Sequence, residues 1–242
     1  MGLWANTVYV NSGSVDAVVE TLKNQFATED MVPTTVQTRN RLLYEPMQYD
    51  DALHNDHWSL AVFPGASSWT VIQSAPLELM AEHLANSDRR RISDLCVELS
   101  CSALLVNVYD SSDVVLAECA NTGEVLVCGW TGQPGAGDPY REHNESVDED
   151  SYRLRLRINT SLEVDLENKD GEELAWLFAK RCGGANAEHC SNLVSVDTLI
   201  CRKPFNVPGG IALHFVWRGA SRQRYRSSET WETHRAQKTH RR

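Results

Sequence analysis

No stretch of this chain stays apolar for the roughly 18–20 residues that a helical membrane span requires. The longest candidates, such as "IALHFVW", have the length of a strand. The start, "MGLWANTVYV", carries no basic segment followed by a hydrophobic one, and Asn6 stands where a myristoylation signal has serine or threonine. The expectation is therefore a soluble, cytoplasmic protein with no membrane contact.

Catalytic signatures are missing too. "FPGASSWT" has Gly65 and Ser67 but no glycine two residues after the serine, so the nucleophile-elbow pattern is incomplete. "TGQPGAGDPY" lacks Gly-Lys-Ser/Thr and leads into acidic residues instead of a helix start, which argues against a phosphate cradle. No Cys-X-X-Cys knuckle occurs. The seven cysteines (Cys96, Cys101, Cys119, Cys128, Cys182, Cys190 and Cys201) are an odd set without a secretion signal, which favours reduced thiols. The Asn144 and Asn159 sequons are then accidental.

What is present describes a globular chain: 242 residues, 42% hydrophobic and 23% charged, enough for one medium domain or two small ones. The formal net charge is −10. It is unevenly spread: 8 of the 23 basic residues but only 2 of the 33 acidic ones lie from Arg218 onward, leaving a body of about −16 and a tail of about +6. Such a body repels nucleic acid and attracts cationic partners. Nucleic acid contact is confined to the tail, whose Ser/Gln/Thr-rich composition fits a disordered terminus.

"NTVYVNSGSVDAVVETLKNQF" reads as a strand ending at Val10 and a helix capped by Ser14, with Val15, Val18, Val19 and Leu22 on one side. Residues 27–56 are polar and irregular, with a strand expected at "RNRLLYEP". "WSLAVFPG" and "SWTVIQSA" read as two strands. A helix from Pro76 should bury Leu77, Met80 and Leu84. "SDRRRISDLCVELSC" should form another, capped by Ser87 or Asp88 and burying Ile92, Leu95, Cys96 and Leu99.

Residues 131–150 are rich in Gly, Pro and acids and give the best domain boundary. Beyond it, "YRLRLRI" and "LEVDLEN" alternate apolar residues with charges of opposite sign, making a hairpin in which Arg153, Arg155 and Arg157 pair with Glu163, Asp165 and Glu167. "DGEELAWLFAKRCGG" is a helix capped by Asp170 and stopped by Gly183-Gly184. Strands follow near "LVSVDTLICRK" and at "GGIALHFVWRG".

The predicted fold class is α+β: a mixed, mainly antiparallel sheet with helices packed on one face. Strand-strand-helix-strand order in both halves leaves two similar α+β subdomains open. The organisation is an N-terminal subdomain over 1–130, an acidic Gly/Pro-rich linker over 131–150, a C-terminal subdomain over 151–218 and a basic, disordered tail over 219–242.

"LLVNVYDSSDVVLAECANTGEVLVCGW", residues 104–130, reads as a three-strand meander that is apolar on both faces. A lone antiparallel sheet usually keeps one face wet. Ser111-Ser112 as a two-residue loop would set Tyr109 opposite Val114, and Asn121-Thr122-Gly123 would set Cys119 opposite Val125. That register puts Leu104, Val106, Val108, Val115, Ala117, Cys119, Val125 and Val127 on one dry face. The other face holds Leu105, Asn107, Tyr109, Val114, Leu116, Glu118, Leu126, Cys128 and Trp130. Its mixture of aromatic and isolated polar groups suits a docking surface, with Asn107, Tyr109, Glu118 and Trp130 as partner-binding candidates, or a surface buried by the second half of the chain.

Two ligand sets compete with that reading. "YDDALHNDHW" gathers Asp50, Asp51, His54, Asp56 and His57; on a helix, Asp50, His54 and His57 would share a side and suit a divalent metal, whereas a solvated turn explains the same residues. Cys182, His189, Cys190 and Cys201 are nominally a zinc set, but buried thiols also serve as small hydrophobes. The leading expectation is a non-enzymatic, acidic protein-binding module without a cofactor, an adaptor or neutraliser of a basic partner, or else a self-associating chain. The alternative is a metal-dependent hydrolase using Asp50, His54 and His57.

Overall fold

The computed structural model describes residues 5–34, 57–75, 77–80, 90–109, 113–131, 147–148, 153–155, 158, 163–165, 171–190 and 207–218. The chain opens with β1 (Ala5–Val10) and α1 (Val15–Thr28), which is capped as its sequence implies: Ser14 Oγ accepts from Ala17 N–H at 3.2 Å. The edge strand β2 (Met31–Pro33) and the hairpin β3 (His57–Pro64) and β4 (Thr70–Ala75) follow. A short 3₁₀ turn, Leu77–Met80, stands where a helix from Pro76 is expected.

Helix α2 (Arg91–Leu99) starts without a side-chain cap, at Arg90. Ser87 and Asp88, the expected caps, lie outside the described residues. The meander is β5 (Ala103–Tyr109), β6 (Asp113–Cys119) and β7 (Val125–Thr131). Then come three short strands, β8 (Val147–Asp148), β9 (Arg153–Arg155) and β10 (Glu163–Asp165), and α3 (Gly171–Phe178), which widens into a π turn over Ala179–Gly183. One turn of helix, α4 (Ala187–Cys190), and strand β11 (Ile211–Trp217) complete the described elements.

Eight strands form one sheet in the order β2-β11-β3-β4-β1-β5-β6-β7, every neighbouring pair antiparallel. The fold is α+β. Strand β11 lies between β2 and β3, so the last strand of the expected C-terminal subdomain is a member of the first-half sheet. The separate sheet β10-β9-β8 contains the charged hairpin with Arg155 opposite Glu163 and Arg153 opposite Asp165, two residues away from the register that a loop of Asn159-Thr160-Ser161 sets, in which Arg157 opposes Glu163.

Helices cover both faces of the main sheet, which corrects the expected single covered face. On one face α1 and α2 bury Leu22, Phe26, Ile92 and Leu95 against Val8, Leu60, Ile72 and Leu105. Residues of opposite parity, Thr7, Tyr9, Phe63 and Gln73, point to the other face, where the α3–α4 segment lies: Cys190 O accepts from Thr7 Oγ1 and Gln73 Nε2, both at 3.3 Å. Leu174, Phe178 and Ala179 are fully or nearly buried there. The meander is apolar on both sides because neither side of β5 is wet: Ala103, Leu104, Leu105, Val106 and Val108 are each 0–2% exposed.

Meander register is half as expected. Cys119 does oppose Val125, and Ala120 N–H bonds Glu124 O at 2.8 Å. On the other side Tyr109 opposes Asp113, not Val114, so the β5–β6 loop spans three residues. A one-residue slip exchanges the faces of every β5 residue. Leu105 and Asn107 therefore join the α1/α2 face with Ala117 and Cys119, while Leu104, Val106 and Val108 join Leu116 and Glu118.

Candidate functional site

The four residues expected to share a docking face divide between the two. Asn107 opposes Val115 and Tyr109 opposes Asp113 in one set of rows; Glu118 opposes Leu126 and Trp130 opposes Val114 in the other. Asn107 is 1% and Glu118 0% exposed. Glu118 Oε2 accepts a hydrogen bond from Ile158 N–H at 3.0 Å, so the second half of the chain reaches over this carboxylate. Of the metal candidates, Asp50 and His54 lie outside the described residues, and His57 is the first residue of β3.

Cys182 and Cys190 are neighbours on the α3–α4 segment, His189 lies edge-on to Phe63 with ring centroids 6.4 Å apart, and Cys201 lies outside the described residues. Among the described residues no group of three His, Cys, Asp or Glu is arranged to hold a metal ion. The arrangement is a polar knot fastening helix to sheet. Cys190 Sγ donates to Asn186 O at 3.3 Å and is hydrogen-bonded by the buried Tyr9 phenol; Asn186 Nδ2 donates to Pro64 O at 2.8 Å. Ala66 N–H donates to Cys182 O at 2.7 Å. Burial pushes the Cys182 and Cys190 thiols up to about 12 and the Tyr9 phenol well above its ordinary value. Thiols so placed stay protonated at neutral pH and are poor nucleophiles. This knot suits packing better than catalysis.

The surface that presents charge and apolar area together lies elsewhere, on the outer side of α2. Its inner side, Ile92, Leu95 and Cys96, is buried; Asp94, Val97 and Glu98 face out, with Val97 50% exposed. The β6–β7 turn lies against this helix. A Cβ on Gly123 would fall 3.0 Å from Val97 Cγ2, and Arg90 Nη2 donates to Gly123 O at 2.9 Å. Gly123 has φ +81°, a backbone that other residues rarely adopt, so the glycine permits both the turn and the contact. The turn adds exposed Asn121, Thr122 and Glu124.

Helix α1 borders the same surface. Thr21 Oγ1 donates to Glu98 Oε1 at 3.3 Å, and the neighbouring Glu20 is paired with Lys23 at 2.6 Å. The resulting patch carries an exposed valine, the outward Asp94 and Glu98 of the same helix, Glu124 of the adjoining turn and the Arg90 guanidinium that fastens that turn, on elements whose other sides are core. Sequence reasoning centred on the meander overlooked it. The available signal was Val97 itself, an apolar residue outside the Ile92, Leu95, Cys96, Leu99 spacing.

No family model matches the chain, and neither a curated protein nor a solved structure does.

Proposed function

We propose that the chain is a non-enzymatic binding module for a basic protein partner, docking through the outer side of α2 and the β6–β7 turn. The observation that carries this reading is Val97, half exposed on a helix whose outward residues include Asp94 and Glu98, against a turn that exposes Glu124. Carboxylates around an apolar centre give a cationic surface both steering and a desolvated anchor: the charges raise the encounter rate, and the buried aliphatic contact slows escape. The acidic excess of residues 1–217 acts in the same sense at longer range.

The test begins with native mass spectrometry of the chain purified gently from its own source, which identifies any retained partner. Affinity for that partner is then measured for the native chain and for Val97→Ser, Asp94→Lys and Glu124→Lys. A basic partner bound roughly ten-fold more weakly by each reversal, with a flatter salt dependence, supports the reading. A partner whose affinity survives all three changes overturns it.

A further inference from the structure

Helix α2 ends in two backbone hydrogen bonds: Ser100 N–H to Val97 O at 3.2 Å and Cys101 N–H to Cys96 O at 3.0 Å, with Ser100 left-handed at φ 50°, ψ 41°. This is the Schellman pattern. It brings the residue just beyond the left-handed position against the residue three before the helix end, usually as an apolar contact. Here both residues are cysteines. The helix-ending motif itself therefore presses Cys96 and Cys101 together.

Strand β6 adds a third sulfur. Cys119 pairs in register with Ala103, two residues beyond Cys101, and all three cysteines belong to one buried cluster. The Cys96 thiol is close enough to those of Cys101 and Cys119 for both to perturb its ionisation. Exposure ranks the three: Cys101 9%, Cys119 3%, Cys96 0%. Solvent reaches Cys101 first.

We propose that Cys101 and Cys96 are a reversible thiol–disulfide site at the end of α2, opened to oxidation at Cys101 and closed by Cys96. The oxidant is a small hydroperoxide. The Cys101 thiolate attacks the peroxide oxygen, the O–O bond breaks, and with hydrogen peroxide one water leaves, giving a sulfenic acid. Cys96 sulfur then attacks the sulfenic sulfur, and the hydroxyl leaves as a second water with the Cys96 proton. Two thiols and one peroxide become one disulfide and two waters.

The chemistry of the two sulfurs is suited to these roles. The Cys96 hydrogen bond holds the Cys101 thiol below the ordinary thiol range and Cys96 well above it. Cys101 is also the more exposed of the two, so it is the sulfur that a small oxidant meets, and a thiolate is the form that reacts. By contrast, Cys182 and Cys190 are held up at about 12 by burial. A disulfide needs Cα atoms about 4.4–6.8 Å apart, a separation within reach of residues joined by a backbone hydrogen bond with side chains in contact. The proposal is independent of the docking reading.

The test uses the folded, full-length chain, reduced, desalted and exposed to limiting hydrogen peroxide, then alkylated and digested without reduction. A glutamate-specific protease cuts at Glu98 and Glu118 and so leaves Cys96, Cys101 and Cys119 on separate peptides. The expected product is a Cys96–Cys101 cross-link that dithiothreitol releases. It should form on the order of ten-fold faster than any modification of Cys182 or Cys190. Cys96→Ala should leave Cys101 as a sulfenic acid trapped by dimedone, which reads the first step apart from the second. Full alkylation of Cys96 and Cys101 after peroxide, a bridge from Cys101 to Cys119 instead, or cross-linking only in denaturant would each overturn the proposal.

Discussion

The guanidinium of Arg91 donates to both carboxylate oxygens of Glu29, at 3.0 and 2.8 Å, and to Leu79 O at 2.8 Å. It also lies 4.7 Å from the Trp58 ring centroid and 5.7 Å from that of Phe26. One side chain thus ties α2 to the end of α1, to the 3₁₀ turn and to β3. Arg91 is buried but Glu29 is only part-buried, so the carboxylate left behind is partly hydrated and Arg91→Ala should cost about 3 kcal/mol in urea unfolding, the low end for a buried pair. Arg91→Lys keeps the charge but not the fork, and should cost about 1–3 kcal/mol. None of this was legible in "RRRIS", because Glu29 is 62 positions away. Gly65 offers a second test at this scale: a Cβ there would sit 2.2 Å from the Cys182 carbonyl oxygen, whereas one on Gly13 would meet only Ser68 Cα at 3.8 Å. Gly65→Ala should destabilise by about 1–3 kcal/mol, and Gly13→Ala should leave the melting temperature nearly unchanged.

Elements were legible where local pattern had one answer. Ser14, the α1 spacing and the alternating charges of β9 and β10 each specify a cap, a buried side or a pairing of opposite charges without reference to distant residues, though the last leaves the register open by two. The meander failed for a physical reason: β5 is dry on both faces, so the apolar pattern favours neither, and loop length alone set the register. Asn107 and Glu118 looked like docking residues because their burial depends on what packs over the sheet. Two predictions belong to this scale. Ser100, left-handed at the end of α2, pays the strain that glycine avoids, so Ser100→Gly should stabilise by about 0.5–1 kcal/mol by chemical denaturation. On β11, His214 Nδ1 lies 2.9 Å from Ser59 Oγ, and burial lowers its pKa below 6.5. The unfolded chain then takes up the proton first as pH falls. The stability tied to neutral His214 is complete above pH 6.5 and is lost progressively below it, down to the folded pKa. Stability measured between pH 7.5 and 5 should fall less steeply in His214→Gln than in the native chain.

At the scale of the whole molecule the two-sided sheet and the charge distribution act together. Covering both faces leaves interaction to what projects from the covering helices, and on α1 and α2 the exposed charged groups are the carboxylates Asp16, Glu20, Asp94 and Glu98. The basic residues after Arg218 oppose that field. Removing residues 219–242 takes away seven basic and two acidic residues and moves the formal charge from −10 to about −15. If the tail acts only through its charge, the shortened chain should meet a basic partner several-fold faster at about 10 mM salt, where the Debye length is about 30 Å, with the gain gone near 1 M, where it is about 3 Å. Dissociation should be unchanged, because steering charges act before contact. Stopped-flow association of both forms across this salt range decides the matter. A shortened chain that associates more slowly, or dissociates faster, would mean that the tail touches the partner directly, and the docking surface would then have to extend from α2 to residues beyond Arg218.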